Sequence, residues 1–176
     1  EFKLELSSSG NISYLILPTP HFLIKDSKIL MNKAGNKESI AEIKDLKIFL
    51  SKKNFFDKEK MNIKKVVIEN GNFSIFWNNL KLLNKSKNNQ FSNKKIQINK
   101  GNIFFKDHLG EVISIIKIDK AILFFDNKKL LNIFNLKGKI FNIPFNFNFE
   151  SLNNSTKYEK INLNFQSLKL EILNES

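Results

Sequence analysis

Apolar and polar residues alternate with a period of two over much of the chain. The pattern is plainest in FNIPFNFNFE at 141–150, where Phe141, Ile143, Phe145, Phe147 and Phe149 share one side and Asn142, Pro144, Asn146, Asn148 and Glu150 the other. Such alternation predicts a strand with one apolar and one wet face. Pro144 has no amide donor, so it belongs at an edge or at a strand start. INLNFQ (161–166) repeats the pattern with Ile161, Leu163 and Phe165, and SLKLEI (167–172) with Leu168, Leu170 and Ile172. The phase slips from odd to even between them, which predicts a bulge or bend near Gln166 or Ser167. Further strands are predicted at 12–17, 27–32, 63–69, 72–77, 95–99, 102–106, 111–117 and 118–126. Gly71-Asn72 and Gly101-Asn102 predict tight turns between antiparallel neighbours.

The same pattern occurs twice. Ile29 and Ile103 are 103 − 29 = 74 apart; after one added turn residue the offset is 75 for Ile40/Ile115, Ile43/Ile118, Leu46/Ala121, Ile48/Leu123 and Leu50/Phe125. The copies cover 26–56 and 100–131. A repeated unit of this size cannot bury its own apolar side, so it predicts a stacked or extended structure. SIAEIKDLKIFL (39–50) is ambiguous between helix and strand, but its partner VISIIKIDKAILFF (112–125) is β-branched and aromatic, which favours strands for both. Short helices are predicted at 51–60 and 126–134, in equivalent places after the long strands, and one or two helical turns at 78–89. The polar stretch 84–93 is the predicted mobile linker. The fold class is therefore mainly β with short helices: one domain over 1–176, a curved antiparallel sheet or groove built from a duplicated strand–turn–strand–helix unit.

Composition changes this picture little. The 176 residues include 18 Phe and are long enough to bury a core. All 29 basic residues are Lys, and with 17 acidic residues the formal charge is +12. Lys, Asn, Ile and Phe are what a strongly AT-biased genome favours, so part of that charge reflects composition. The absence of Arg and the spread of Lys argue against nucleic acid, whose guanine edges and phosphates are read by the paired donors of a guanidinium. A diffuse positive surface also suits anionic lipid head groups or polyanionic envelope polymers.

No constellation of catalytic residues stands out. Without Cys, and with only His21 and His108 in turn-like settings, no zinc cluster or HExxH site is expected. The acids Asp107, Glu111 and Asp119 read as solvated turn residues. No catalytic residue, metal ligand or cofactor is predicted, and no enzymatic activity. No apolar run reaches the roughly 18 to 20 residues that span a bilayer. The chain opens at Glu1 rather than Met, which reads as a fragment of a longer protein.

The run GNISYLILPTPHFLIKDSKILMN (10–32), continued by SIAEIKDLKIFLS and MNIKKVVIENGNFSIF, resembles the AsmA-like family of bacterial envelope proteins. Leu17, Pro18, Pro20 and Phe22 match its strand and Pro-rich turn. Ile40, Ala41, Ile43, Leu46, Ile48 and Leu50 match its next strand. Ile63, Val66, Ile68, Gly71, Phe73 and Ile75 match the one after a short helix. FNLKGKIFNIPFNFNFE (134–150) is similar to its later strand pair. The resemblance covers most of 10–150, and its motifs are patterns of apolar and turn residues. It implies a periplasmic β-rich domain, anchored to the inner membrane by a segment outside this chain. Larger relatives form β-grooves that carry phospholipid toward the outer membrane, and the family is also linked to outer-membrane protein assembly. The partners implied are phospholipid or acyl chains and other envelope proteins. Ile48, Leu50, Ile122, Phe124, Phe145 and Phe147 are the residues expected on a concave, lipid-facing surface. Alternation is the same in an open groove and in a closed core, so a structural or protein-interaction domain of the envelope is the other expectation.

Overall fold

The computed structural model describes residues 3–8, 10–33, 36–51, 62–77, 90–152 and 158–175. These residues form eleven strands: β1 (Lys3–Ser8), β2 (Ile12–Leu15), β3 (His21–Lys33), β4 (Asn36–Leu50), β5 (Ile63–Phe76), β6 (Lys95–Lys106), β7 (Val112–Asp126), β8 (Leu131–Ile140), β9 (Ile143–Leu152), β10 (Glu159–Phe165) and β11 (Leu170–Glu175). All belong to one open sheet in the order β1-β3-β4-β5-β6-β7-β8-β9-β10-β11, with β2 pairing β3 on the same side as β1. The fold is nearly all β, as the alternation predicts.

Each pairing is antiparallel except β5–β6, which is parallel. Gly71-Asn72 and Gly101-Asn102 are therefore not turns. They lie inside β5 and β6 and face each other in parallel register, Gly71 opposite Gly101 and Asn72 opposite Asn102. The two amides form a rung, Asn102 Nδ2 donating to Asn72 Oδ1 at 2.9 Å. Just before each pair stands a residue in the left-handed region, Asn70 (φ 55°) and Lys100 (φ 57°).

The reason these strands are twice as long as the alternation implies is a crease across the sheet. Asp26 of β3, Lys44 of β4, Asn70, Lys100 and Asp119 of β7 are each passed over by the pairing on both sides. An extra residue reverses which face the following side chains point to. In β5, for example, the apolar positions run Val66, Ile68 and then Gly71, Phe73, Ile75. The strand continues while the phase slips by one, and read as sequence the slip imitates a strand end. Glycine is required where two backbones close up here: a Cβ on Gly101 would strike the carbonyl oxygen of Gly71, and one on Gly138 that of Lys117.

Two further expectations are corrected. The segment 126–134 is not a helix. Asp126 Oδ1 accepts from the backbone N–H of Lys128 (2.8 Å) and Lys129 (3.2 Å), and the Leu130 N–H closes on the Asp126 carbonyl at 2.8 Å. That turn hands the chain straight into β8, whose backbone finds partners in both β7 and β9. The phase slip near Gln166 or Ser167 is a reversal of the chain rather than a bulge or bend within one strand. A 3-10 turn over Gln166–Leu168, closed by Lys169 at φ 53°, separates β10 from β11, and the two strands pair as a hairpin. Pro144 is the second residue of β9 and lies beyond the β10 ladder, so its missing N–H leaves no gap. The helices expected at 51–60 and 78–89 fall outside the described residues apart from Ser51, as does most of the linker 84–93.

Candidate functional site

The crease brings apolar side chains from both halves of every long strand onto one face, in rows that cross the sheet. One row runs Phe22, Ile48, Val66, Ile96, Leu123, Phe134, Phe149, Ile161. The next runs Ile24, Leu46, Ile68, Ile98, Ala121, Leu136, Phe147, Leu163, Ile172. Beyond the crease a third row holds Ser27, Ile43, Gly71, Gly101, Ile118, Gly138 and Phe145, and a fourth Ile29, Ala41, Phe73, Ile103, Ile116, Ile140 and Ile143. The small residues of the third row mark where the backbones are closest.

Packing on this face follows the strand order. One buried cluster is centred on Ile24, Ile43, Leu46 and Ile68, and a second on Ile118, Ala121, Leu136 and Phe145. They meet through Phe73 and Ile98, which touch both. Neither cluster joins β3 or β4 directly to β8, β9 or β10, as two layers of a closed sandwich would.

The middle of the apolar face is buried, and its two ends are not. Leu6 on β1 and Ile12 and Tyr14 on β2 are exposed at one edge, Leu170 and Ile172 on β11 at the other. At the margin below the Phe22 row, the segment before β6 folds against the sheet. Phe91 N–H donates to Oδ1 of the fully buried Asn132 at 2.8 Å, and Phe125 N–H to the Ser92 carbonyl at 2.9 Å.

Of the six residues expected to face lipid, Ile48, Phe145 and Phe147 lie in these rows, and Leu50 is buried at the end of β4. Ile122 and Phe124 do not join them. They alternate with Ala121 and Leu123 and point to the other face, where Ile122 is opposite Gln97 and Asn135, and the Lys95 ammonium lies 5.0 Å from the Phe124 ring centroid. The continuous apolar run of β7 hides the phase, but the 75-residue offset shows it: the counterparts of Ile48 and Leu50 are Leu123 and Phe125. The expected set also omits Ile24, Ile98 and Leu136, which sit at the centre of the face.

The opposite face is mostly polar, with Val67, Ile122, Phe124 and Ile133 as apolar exceptions, of which Val67 and Ile133 are buried. Around β3, β4 and β5 its charges are matched: Lys28 with Glu42 at 2.8 Å, Lys47 with Glu69 at 3.7 Å, and Glu69 also accepting from Asn99 at 3.0 Å. On β7 and β8 they are not, because Lys117 stands opposite Lys139 and Lys120 opposite Lys137. His21 is buried rather than on a surface turn. Its Nδ1 lies 2.7 Å from the Thr19 carbonyl, which can only accept, so Nδ1 carries the proton; the ring stacks on Phe49 at 4.8 Å. His108 is exposed in the β6–β7 turn. Among the described residues no three His, Asp or Glu are grouped to hold a metal ion, and no helix is long and apolar enough to cross a membrane. No family model and no curated protein sequence matches this chain.

Proposed function

We propose that this chain is a non-enzymatic, lipid-handling β-domain of the bacterial cell envelope, of the AsmA-like kind its motifs resemble. The single observation that carries the reading is the apolar face: four registered rows crossing at least six adjacent strands of one layer, with apolar side chains left exposed on the edge strands at both ends. A surface of this kind is suited to shielding acyl chains from water, since transfer of each CH₂ out of water is worth about 0.8 kcal/mol. Ile48, Leu123, Phe134 and Phe147 on the half-buried rows would touch the chains, and the lysines and asparagines of the other face would keep the protein in solution. In the full-length protein the domain would stand in the periplasm, anchored to the inner membrane, and phospholipid would move along the rows from strand to strand.

The test is direct. Protein purified without detergent is extracted and its phospholipid content measured by mass spectrometry, in parallel with binding of a fluorescent phospholipid. Stoichiometric phospholipid displaced by the labelled analogue is the expected result. A lipid-free protein that does not take up the analogue would sink the proposal.

A further inference from the structure

The strand directions gather four chain reversals or strand ends at one end of the sheet: the end of β5, the β6–β7 turn, the β8–β9 turn and the β10–β11 turn. Turn tips are normally Gly, Asn, Asp or Ser. Beside such residues, each of these four places also carries a large apolar side chain in solvent: Trp77 is 61% exposed, Leu109 77%, Phe141 75% and Leu168 55%. Phe141 is the clearest departure, because it holds φ 49° in a two-residue turn with Asn142 at φ 63°. A bulky residue is disfavoured there, where Asn-Gly is the usual choice. Neither burial nor local conformation accounts for it.

Directly behind these tips lie cations. Lys139 is two residues before Phe141, and Lys117 is its cross-strand partner. Both are exposed, and neither makes an ion pair among the described residues. Like charges set opposite each other destabilise a sheet. Between the lysines and the tips, β7 runs past the end of β8 and presents exposed Ile113 and Ile115, which with Phe141 and the two lysines line an open groove of about 330 Å³. Two residues of strand span about 7 Å. That separation matches apolar side chains entering a leaflet by ~5 to 10 Å while ammonium groups stay at the phosphates.

We propose that this end of the sheet, tipped by Leu109 and Phe141 and backed by Lys117 and Lys139, docks on the surface of an anionic phospholipid bilayer. A second copy fits less well, because a two-fold contact would bring the lysine pairs against each other. Nucleic acid would use the lysines and leave the apolar tips unexplained. Docking goes beyond the acyl-carrying face and does not depend on it: a domain without lipid cargo would dock equally.

The experiment is sedimentation with vesicles of 30% phosphatidylglycerol in phosphatidylcholine, against vesicles of phosphatidylcholine alone. The protein should bind the anionic vesicles at least tenfold more tightly. Lys117→Gln with Lys139→Gln should weaken that binding roughly 10- to 30-fold, from about 1 kcal/mol per lysine near an anionic surface. Phe141→Asn with Leu109→Ser should weaken it on both vesicle types, whereas Leu130→Asn, an exposed turn residue at the opposite end, should leave it unchanged. Asn suits the backbone at 141 better than Phe does, so misfolding cannot explain a loss there. Equal binding to both vesicle types, or full binding by either double variant, overturns the proposal. So does a dimer in sedimentation velocity that Phe141→Asn dissolves. Phospholipid carried through purification should not change in any of these variants, which keeps this result separate from the lipid-handling test.

Discussion

The β3–β4 and β6–β7 hairpins are built alike on one face and differently on the other. Ile24 pairs with Leu46 as Ile98 does with Ala121, and Ile29 with Ala41 as Ile103 does with Ile116, 74 and 75 residues apart. The residues passed over at the crease match too, Asp26 with Lys100 and Lys44 with Asp119, though with the charges exchanged. On the polar face the first hairpin sets Lys25 opposite Asp45 and Lys28 opposite Glu42, while in the second region Lys117 and Lys120 face Lys139 and Lys137. Folding needs the apolar face to be continuous, and it constrains both hairpins equally. The polar face answers to less, so its uncompensated half is free to meet something outside the molecule.

The largest effect should come from the matched pair Ser27 and Gly101. Gly101→Ser places a side chain against the Gly71 carbonyl and should lose about 3 kcal/mol or more in guanidinium unfolding, the upper end of overpacking. Ser27→Ala removes a buried hydroxyl that has no hydrogen-bond partner and should be neutral or stabilising by about 1 kcal/mol. Equal effects at the two positions would mean that the third row is no tighter at Gly101 than at Ser27. Next, Leu46→Ala should cost about 2 to 5 kcal/mol by opening a cavity in the buried cluster. Ala121→Leu, its counterpart, should cost about 1 to 3 kcal/mol by crowding.

Charge changes should be smaller and of opposite sign in the two regions. Lys139→Glu gives Lys117 a partner and should raise stability by about 0.5 kcal/mol, whereas Glu42→Lys sets two lysines opposite each other and should lower it by a similar amount. Both shifts should shrink in 1 M salt, since exposed pairs are screened. The smallest effect belongs to Asp126. The backbone N–H groups of Lys128 and Lys129 hold its carboxyl below the usual carboxylate range. A folded-state pKa below the unfolded one contributes stability above the unfolded value that is lost as pH falls through the folded one. Amide exchange at Lys128 and Lys129 should therefore speed up on acidification, and Asp126→Asn should abolish that pH dependence. The matching residue of the first hairpin is Ser51, which cannot titrate.

Much of this was legible from residues alone where the cause is local. FNIPFNFNFE shows its two faces because side chains alternate along any strand, and β9 forms there. The segment 39–50 is readable as a strand through its β-branched partner at 112–125, and β4 forms there by pairing with β3 and β5. What failed did so at particular places. A left-handed Asn70 or Lys100 inside a strand, a 3-10 turn at Gln166 and a tight turn before β8 all leave the same mark on the sequence, a slip or interruption of phase. Only pairing with neighbours distinguishes them, because a strand persists through a slip when both flanking strands slip with it.

By itself the sequence determined a β-rich chain with one apolar and one wet face, and a unit repeated at offsets of 74 and 75, since both follow from side-chain period within a segment. Tertiary structure decided what depends on register between segments tens of residues apart: that β5 and β6 run parallel, that Ile122 and Phe124 turn away from Ile48 and Phe147, and that Lys117 meets Lys139 beneath an exposed Phe141. Those relations are set by hydrogen bonding between strands, and no window along the chain contains them.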